Sequence, residues 1–207
     1  MIVSVVSFFA YKQIATNKLI GSYTDSIIEF PENFYELPVY MQDAAYAFDP
    51  DDKYLMSGFS DYIVIAYLNE IKVTVYQNVR MDEGDLKGTP YTCYEMRIVR
   101  NIKGSLRTDC DIPVLQYGGV TIDGKSIECI TGLLDDNKSY VLYLSSAADE
   151  NIYLNKAYEV PGAETIDGCQ KAVAENDGFL LEFYDAFSNE KKDFAPNTHY
   201  STPYEEG

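Results

Sequence analysis

From Thr89 to Gly119 the chain reads T-P-Y-T-C-Y-E-M-R-I-V-R-N-I-K-G-S-L-R-T-D-C-D-I-P-V-L-Q-Y-G-G, and its first half alternates with period two. Tyr91, Cys93, Glu95, Arg97 and Val99 fall on one face; Thr92, Tyr94, Met96, Ile98 and Arg100 fall on the other. That spacing is the signature of a long strand. Asn101-Ile102-Lys103-Gly104 supplies a glycine where the chain must reverse. Ile112 to Tyr117 then resumes a shorter apolar strand that ends at the Gly118-Gly119 breaker. The stretch is a β-hairpin with a long first arm, and it commits the chain around it to β-sheet.

The flanking segments follow suit. Ile63 to Ala66 reads as a buried strand, continued by alternation through Ile71, Val73 and Val75. A run this long cannot stay flat, so Leu68-Asn69-Glu70 is expected to form a bulge or bend that curls the sheet. Residues 78–88 read as a polar loop. Beyond the central hairpin, Val120 to Gly124 forms a turn into a short strand over 126–130, and Tyr140 to Leu144 and Ile152 to Val160 close the series. Five or six strands with a turn signal about every ten residues predict a mainly β fold, a small Greek-key barrel or sandwich. Phe179, Leu180, Phe183 and Phe187 recur at helical spacing, predicting a C-terminal helix over about 179–190 docked on the barrel. Residues 193–207 read as a frayed tail.

The N-terminal side is harder to assign to the barrel. Met1 to Ala10 is a continuous apolar run with its first basic residue, Lys12, after it, the pattern of a signal or membrane-anchor remnant; a buried terminal strand or helix is the alternative. The expected division is 1–20 anchor, 21–59 stalk and lead-in, 60–190 barrel with docked helix, and 191–207 tail. Asp49-Pro50-Asp51-Asp52 looks at first like a calcium loop, but Tyr54 and Ser60 stand where an EF-hand needs glycine and glutamate. It reads instead as an acidic turn capping the next segment.

Charge narrows the partners. The chain carries 33 acidic against 16 basic residues, a net charge of −17, and such a field repels phosphate backbones and anionic lipid. No nucleic-acid partner is expected, and membrane contact only through the N-terminal segment. The four cysteines, Cys93, Cys110, Cys129 and Cys169, lack metal-ligand spacing. In an oxidising compartment Cys110 could pair with Cys129 or with Cys93; the alternative is four buried free thiols. His199, the sole histidine, lies in the expected tail, far in sequence from any nucleophile it might activate. No dinucleotide, P-loop or G-x-S-x-G motif occurs, so no cofactor is expected and no catalytic residue is assigned. The residues left as binding candidates are Tyr91, Tyr94 and Tyr117 of the central hairpin and Lys103 at its turn. Core packing accounts for most of the 19 tyrosines, but exposed ones suit contact with a protein or cell-surface glycan.

Taken in order, S-D-Y-I-V-I-A-Y-L, P-Y-T-C-Y-E-M-R-I-V-R-N-I-K-G-S-L, I-P-V-L-Q-Y-G-G-V and L-L-D-D-N-K-S-Y-V-L-Y-L resemble the elements of bacterial secreted or membrane-anchored proteins with a netrin-like domain. That barrel is shared with the tissue inhibitors of metalloproteinases. The resemblance covers about residues 60 to 160, and Asn137 stands where the family often has glycine. It implies an OB-type fold and an extracytoplasmic location, secreted or anchored by the N-terminus. Protease inhibition in the family depends on an N-terminal cysteine, and this chain has none before Cys93. The expectation is therefore a non-enzymatic extracytoplasmic binding module. The alternatives are an extracellular protease inhibitor or regulator acting through residues 78–90, and a hydrolase with an unrecognised acidic site.

Overall fold

A computed structural model describes residues 26–29, 33–44, 48–83, 85–175, 178–193 and 198–206. The expected anchor over 1–20 lies outside the described residues, as do parts of the lead-in and of the polar tail. Among the described residues, eight strands make up one sheet: β1 (Ser26–Glu29), β2 (Val39–Met41), β3 (Tyr62–Asp82), β4 (Asp85–Lys103), β5 (Asp111–Val120), β6 (Ile127–Cys129), β7 (Ser139–Ser146) and β8 (Ile152–Glu159). Three α-helices accompany them among the described residues, α1 (Lys53–Phe59), α2 (Ile166–Ala174) and α3 (Gly178–Ser188).

Five of the strands close a ring. β3 pairs with β4, β4 with β5, β5 with β8, β8 with β7, and β7 returns to β3; every junction is antiparallel except the parallel β5–β8 contact. The result is a closed five-stranded mixed barrel with a helix docked after it, consistent with the small OB-type barrel expected.

The apolar runs of β3 and β7 have no polar face because both faces are covered. Tyr62, Val64, Ala66 and Leu68 point into the barrel with Tyr94, Met96, Ile112 and Leu142. Ile63, Ile65, Val141 and Tyr143 point outward and lie beneath the helices, against Met56, Cys169, Leu180 and Phe183. Burial on two sides turns period-two alternation into a continuous hydrophobic segment. On β4, which is covered less on its outer face, the alternation survives: Thr92, Tyr94, Met96 and Ile98 are buried while Tyr91, Glu95, Arg97 and Val99 are half-buried.

Local signals behave as their chemistry requires. The β3–β4 register shifts between Leu68 and Glu70, the bend that the sequence predicted. Asp52 caps α1, its carboxylate accepting from the Tyr54 and Leu55 amides, so the acidic turn is a helix cap. Gly104 sits at φ +77 against the Tyr62 ring, as the reversal after Lys103 needs, and Asn137 adopts φ +56, the conformation for which glycine is the usual alternative.

Four expectations need correction. Residues 78–88 are not a loop: Asn78, at φ +55, forms a bulge, and the two strands continue to a turn at Glu83. Gly118-Gly119 does not end β5, which runs on to pair with β6, Gly118 opposite Cys129. The lead-in supplies β1, paired with β3, and β2, paired in parallel with β6. The segment 198–206 is not frayed: Arg107 N donates to Tyr204 O, Glu206 N donates to Ser105 O, and Tyr204 packs on the barrel interior.

Candidate functional site

The ring has one thin junction. β5 and β8 meet only where Leu115 faces Tyr153, and past that bridge they diverge. The gap is a cleft of about 420 Å³ between Gln116-Tyr117 on one wall and Leu154 to Ala157 on the other. Ile130 to Gly132 and Leu134, from the connection after β6, close one end; Phe48, Met56 and Phe59, around α1, close the other. The walls are mostly apolar.

Polar groups converge at the floor. Gln116 is buried; its Oε1 accepts a 2.6 Å hydrogen bond from the Tyr94 hydroxyl, and its Nε2 donates to Thr131 Oγ1 and to Gly132 O. Tyr94 in turn accepts from the Leu134 amide. Burial pushes its phenol far above the usual range, so it stays a neutral donor. Across the cleft Asn155 Nδ2 donates to Ser60 Oγ and Ser145 Oγ, which fixes the amide and aims its carbonyl oxygen elsewhere. Lys156 is tied to Asp51 at 2.7 Å, and that hydrogen bond holds the Asp51 carboxyl below its ordinary value.

The four residues singled out from the sequence separate into three environments. Tyr91 and Tyr117 come together, rings 5.7 Å apart and edge to face, with Tyr153 5.5 Å beyond Tyr91. This row of tyrosines lies beside the cleft, and Tyr117 lines it. Burial, more than the neighbouring Tyr117 and Asp149, raises the Tyr91 phenol. Tyr94 is fully buried, so it supports the cleft from beneath instead of offering surface. Lys103 is remote from all three. Its ammonium donates to Ser57 O and to Glu190, each at 2.7 Å, so it ties the end of β4 to α1 and the chain after α3 and is not an exposed turn lysine. Cys110 and Cys129 are both free thiols, as are Cys93 and Cys169. Cys129 is buried at the β5–β6–β2 contact, its thiol against Met41 Sδ, while Cys110 packs at the edge of the barrel interior.

Gln116, Thr131 and Asn155 went unremarked in the sequence. Only Gln116 carried a signal, a lone amide inside the apolar run I-P-V-L-Q-Y.

His199 also moves. The segment 198–206 brings its Nδ1 to 3.5 Å from Ser146 Oγ and its Nε2 to 3.1 Å from Glu205. The serine is not poised as a nucleophile: it is buried, its hydroxyl donates to Asp61 Oδ2, and it accepts from the Tyr200 amide. Compared with protein-family models the chain matches none, and compared with curated proteins it finds no match.

Proposed function

We propose that the chain is a non-enzymatic binding module that works outside the cell membrane and takes its ligand in the cleft at the β5–β8 seam. The observation that carries this reading is the cleft itself, a mostly apolar space of about 420 Å³ with a few convergent polar groups, the usual form of a small-ligand pocket. Thr131 Oγ1 accepts from Gln116 and keeps its own proton to donate, and Asn155 keeps a carbonyl to accept. The occupant that fits is an apolar group with a hydrogen-bonding head, presented by a partner protein. The tyrosine row beside the cleft supports a second contact, to a sugar ring of a cell-surface glycan.

The extracytoplasmic location rests on the apolar run Met1 to Ala10 and on the likeness to netrin-like proteins. The ring order β3-β4-β5-β8-β7 with its parallel β5–β8 junction fits the OB-type barrel that this likeness implies. Recovery of the chain from the soluble cytoplasmic fraction would overturn the location.

The test of the binding site is a fragment library followed by amide chemical shifts. Perturbations are expected at Tyr117, Thr131, Leu154 and Asn155, with binding weakened about tenfold by Tyr117→Ala, the loss of one large buried contact. Binding that maps elsewhere, or none at all, would refute the cleft.

A further inference from the structure

We propose that the outer edge of β2 is a docking strand for an extended, basic segment of a partner protein. This surface adjoins the seam cleft through Gly132 and Leu134, which line both, but it stands on its own observations. β2 ends the sheet, with β6 on one side and, among the described residues, no strand on the other. Ile127 N donates to Pro38 O and Gln42 N donates to Cys129 O, so the even-numbered residues of this stretch face β6. In a parallel pair alternate residues bond to the neighbour, which leaves the peptide groups of Val39 and Met41 directed outward. An edge of this kind accepts another strand.

The side chains fit that use. Val39, Tyr40 and Met41 are 55%, 59% and 60% exposed, and Tyr35, just before them, is 76% exposed. Four large apolar side chains standing in solvent along one short edge are a local excess, because soluble proteins usually blunt edges with charge or proline. Beside the strand lies a pocket of about 220 Å³ lined by Phe34, Leu37, Val39, Ile127 and Leu133. Added main chain would supply the hydrogen bonds, and the pocket would take one large apolar side chain, the division of labour seen whenever a peptide extends a sheet.

Charge identifies the guest. Glu36, Asp43 and Asp136 are exposed around the edge, Asp135 lines the pocket, and Glu128 lies opposite Tyr40 on β6. Of these only Asp135 has a salt bridge among the described residues, to Lys138. A second copy of a chain with net charge −17 would bring like charge to like. A strand in which lysine or arginine alternates with apolar residues would meet both the carboxylates and the pocket.

The test uses the full chain and two fluorescein-labelled peptides, Lys-Val-Lys-Phe-Lys-Val-Lys and its glutamate counterpart, read by anisotropy. The basic peptide is expected to bind at least tenfold more tightly, with affinity falling as salt rises. Met41→Pro removes an outward N–H and costs no backbone bond to β6, only the Met41 Sδ contact with the Cys129 thiol, so the fold should survive while peptide binding drops at least tenfold. Glu36→Lys with Asp136→Lys leaves the backbone alone and should cut both the affinity and its salt dependence. Equal binding of the two peptides, or unchanged binding by both variants, would overturn the proposal. A dimer in sedimentation equilibrium that Met41→Pro dissolves would overturn it in favour of a second copy.

Discussion

The Tyr62 hydroxyl donates a 2.6 Å hydrogen bond to Oε1 of Glu205, fastening the last described stretch of chain to the first ring strand of the barrel. Nearby, Asp61 accepts from the Ser146 amide and hydroxyl, and Ser146 accepts from the Tyr200 amide. Tyr62→Phe should lower unfolding free energy by about 1.5–3 kcal/mol, the worth of one hydrogen bond to a charged group. Deleting residues 198–207 should cost more, because Leu106, fully buried, loses its cover and the Arg107 amide loses its acceptor. Urea denaturation checks both. Faster hydrogen exchange at Arg107 in the truncated chain would place the loss there, and an unchanged midpoint would show that the strap is idle.

Alkaline pH should unfold the protein before neutral or mildly acidic pH does. Burial raises the phenols of Tyr62, Tyr76, Tyr94, Tyr153 and Tyr158, and pushes those of Tyr140 and Tyr143 up to about 12. In the unfolded chain the same groups ionise near ~10. The folded state therefore keeps protons that the unfolded state has lost, so this contribution is intact below pH ~10 and falls away as pH rises through 12. Each such tyrosine steepens the loss by about 1.4 kcal/mol per pH unit. Phenolate absorbance at 295 nm should rise in one step with loss of the fold; independent titration of most tyrosines while the fold persists would contradict this.

Thiol chemistry offers a third check. Cys93, Cys129 and Cys169 are buried and Cys110 is half-buried, all unpaired. Burial pushes the Cys93 thiol up to about 12 and raises Cys129 as well, which suppresses the reactive thiolate. In the native chain Cys110 alone should react with a thiol reagent within minutes, and all four should react in denaturant. A mass showing a Cys110–Cys129 disulfide in the purified protein would contradict the free-thiol arrangement.

Gly118→Ala should be severe. Gly118 adopts φ +107, and a methyl group there would lie 2.6 Å from Glu128 O and 2.7 Å from Cys129 Cβ. The backbone strain alone is about 1–2 kcal/mol, and the clash with β6 adds to it. A urea midpoint lowered by at least that amount is expected, whereas Gly124→Ala, in open space at φ +74, should show the strain without the clash.

What the sequence told and withheld follows the range of the forces involved. The alternation over Tyr91–Val99, the bend at Leu68–Glu70, the Asp52 cap and the helix near 179–190 are local, and each was readable. β2 was not: its three residues are all exposed, with no buried face to print a period, and its partner β6 lies almost ninety positions away. The ribbon through 78–88 looked like a loop because bulge and turn residues interrupt its pattern. Tyr94 and Lys103 carried the right chemistry for binding, but the first is spent on the barrel interior and the second on Ser57 and Glu190. The cleft depends on how far two strands part after a single bridge, and no residue type records that.

The closing of the ring also sets the order in which the chain can fold. β3 and β4 are neighbours in sequence and can zip from their turn, but β3's other edge waits for β7, Tyr62 meeting Leu144. On a ribosome the first barrel strand is thus synthesised long before its second partner, and its apolar outer residues, Ile63 and Ile65, wait longer still for α2 and α3. Non-local pairing of this kind is slow, so the nascent β3 edge is the part of the molecule most in need of protection from aggregation until residue 188 has emerged.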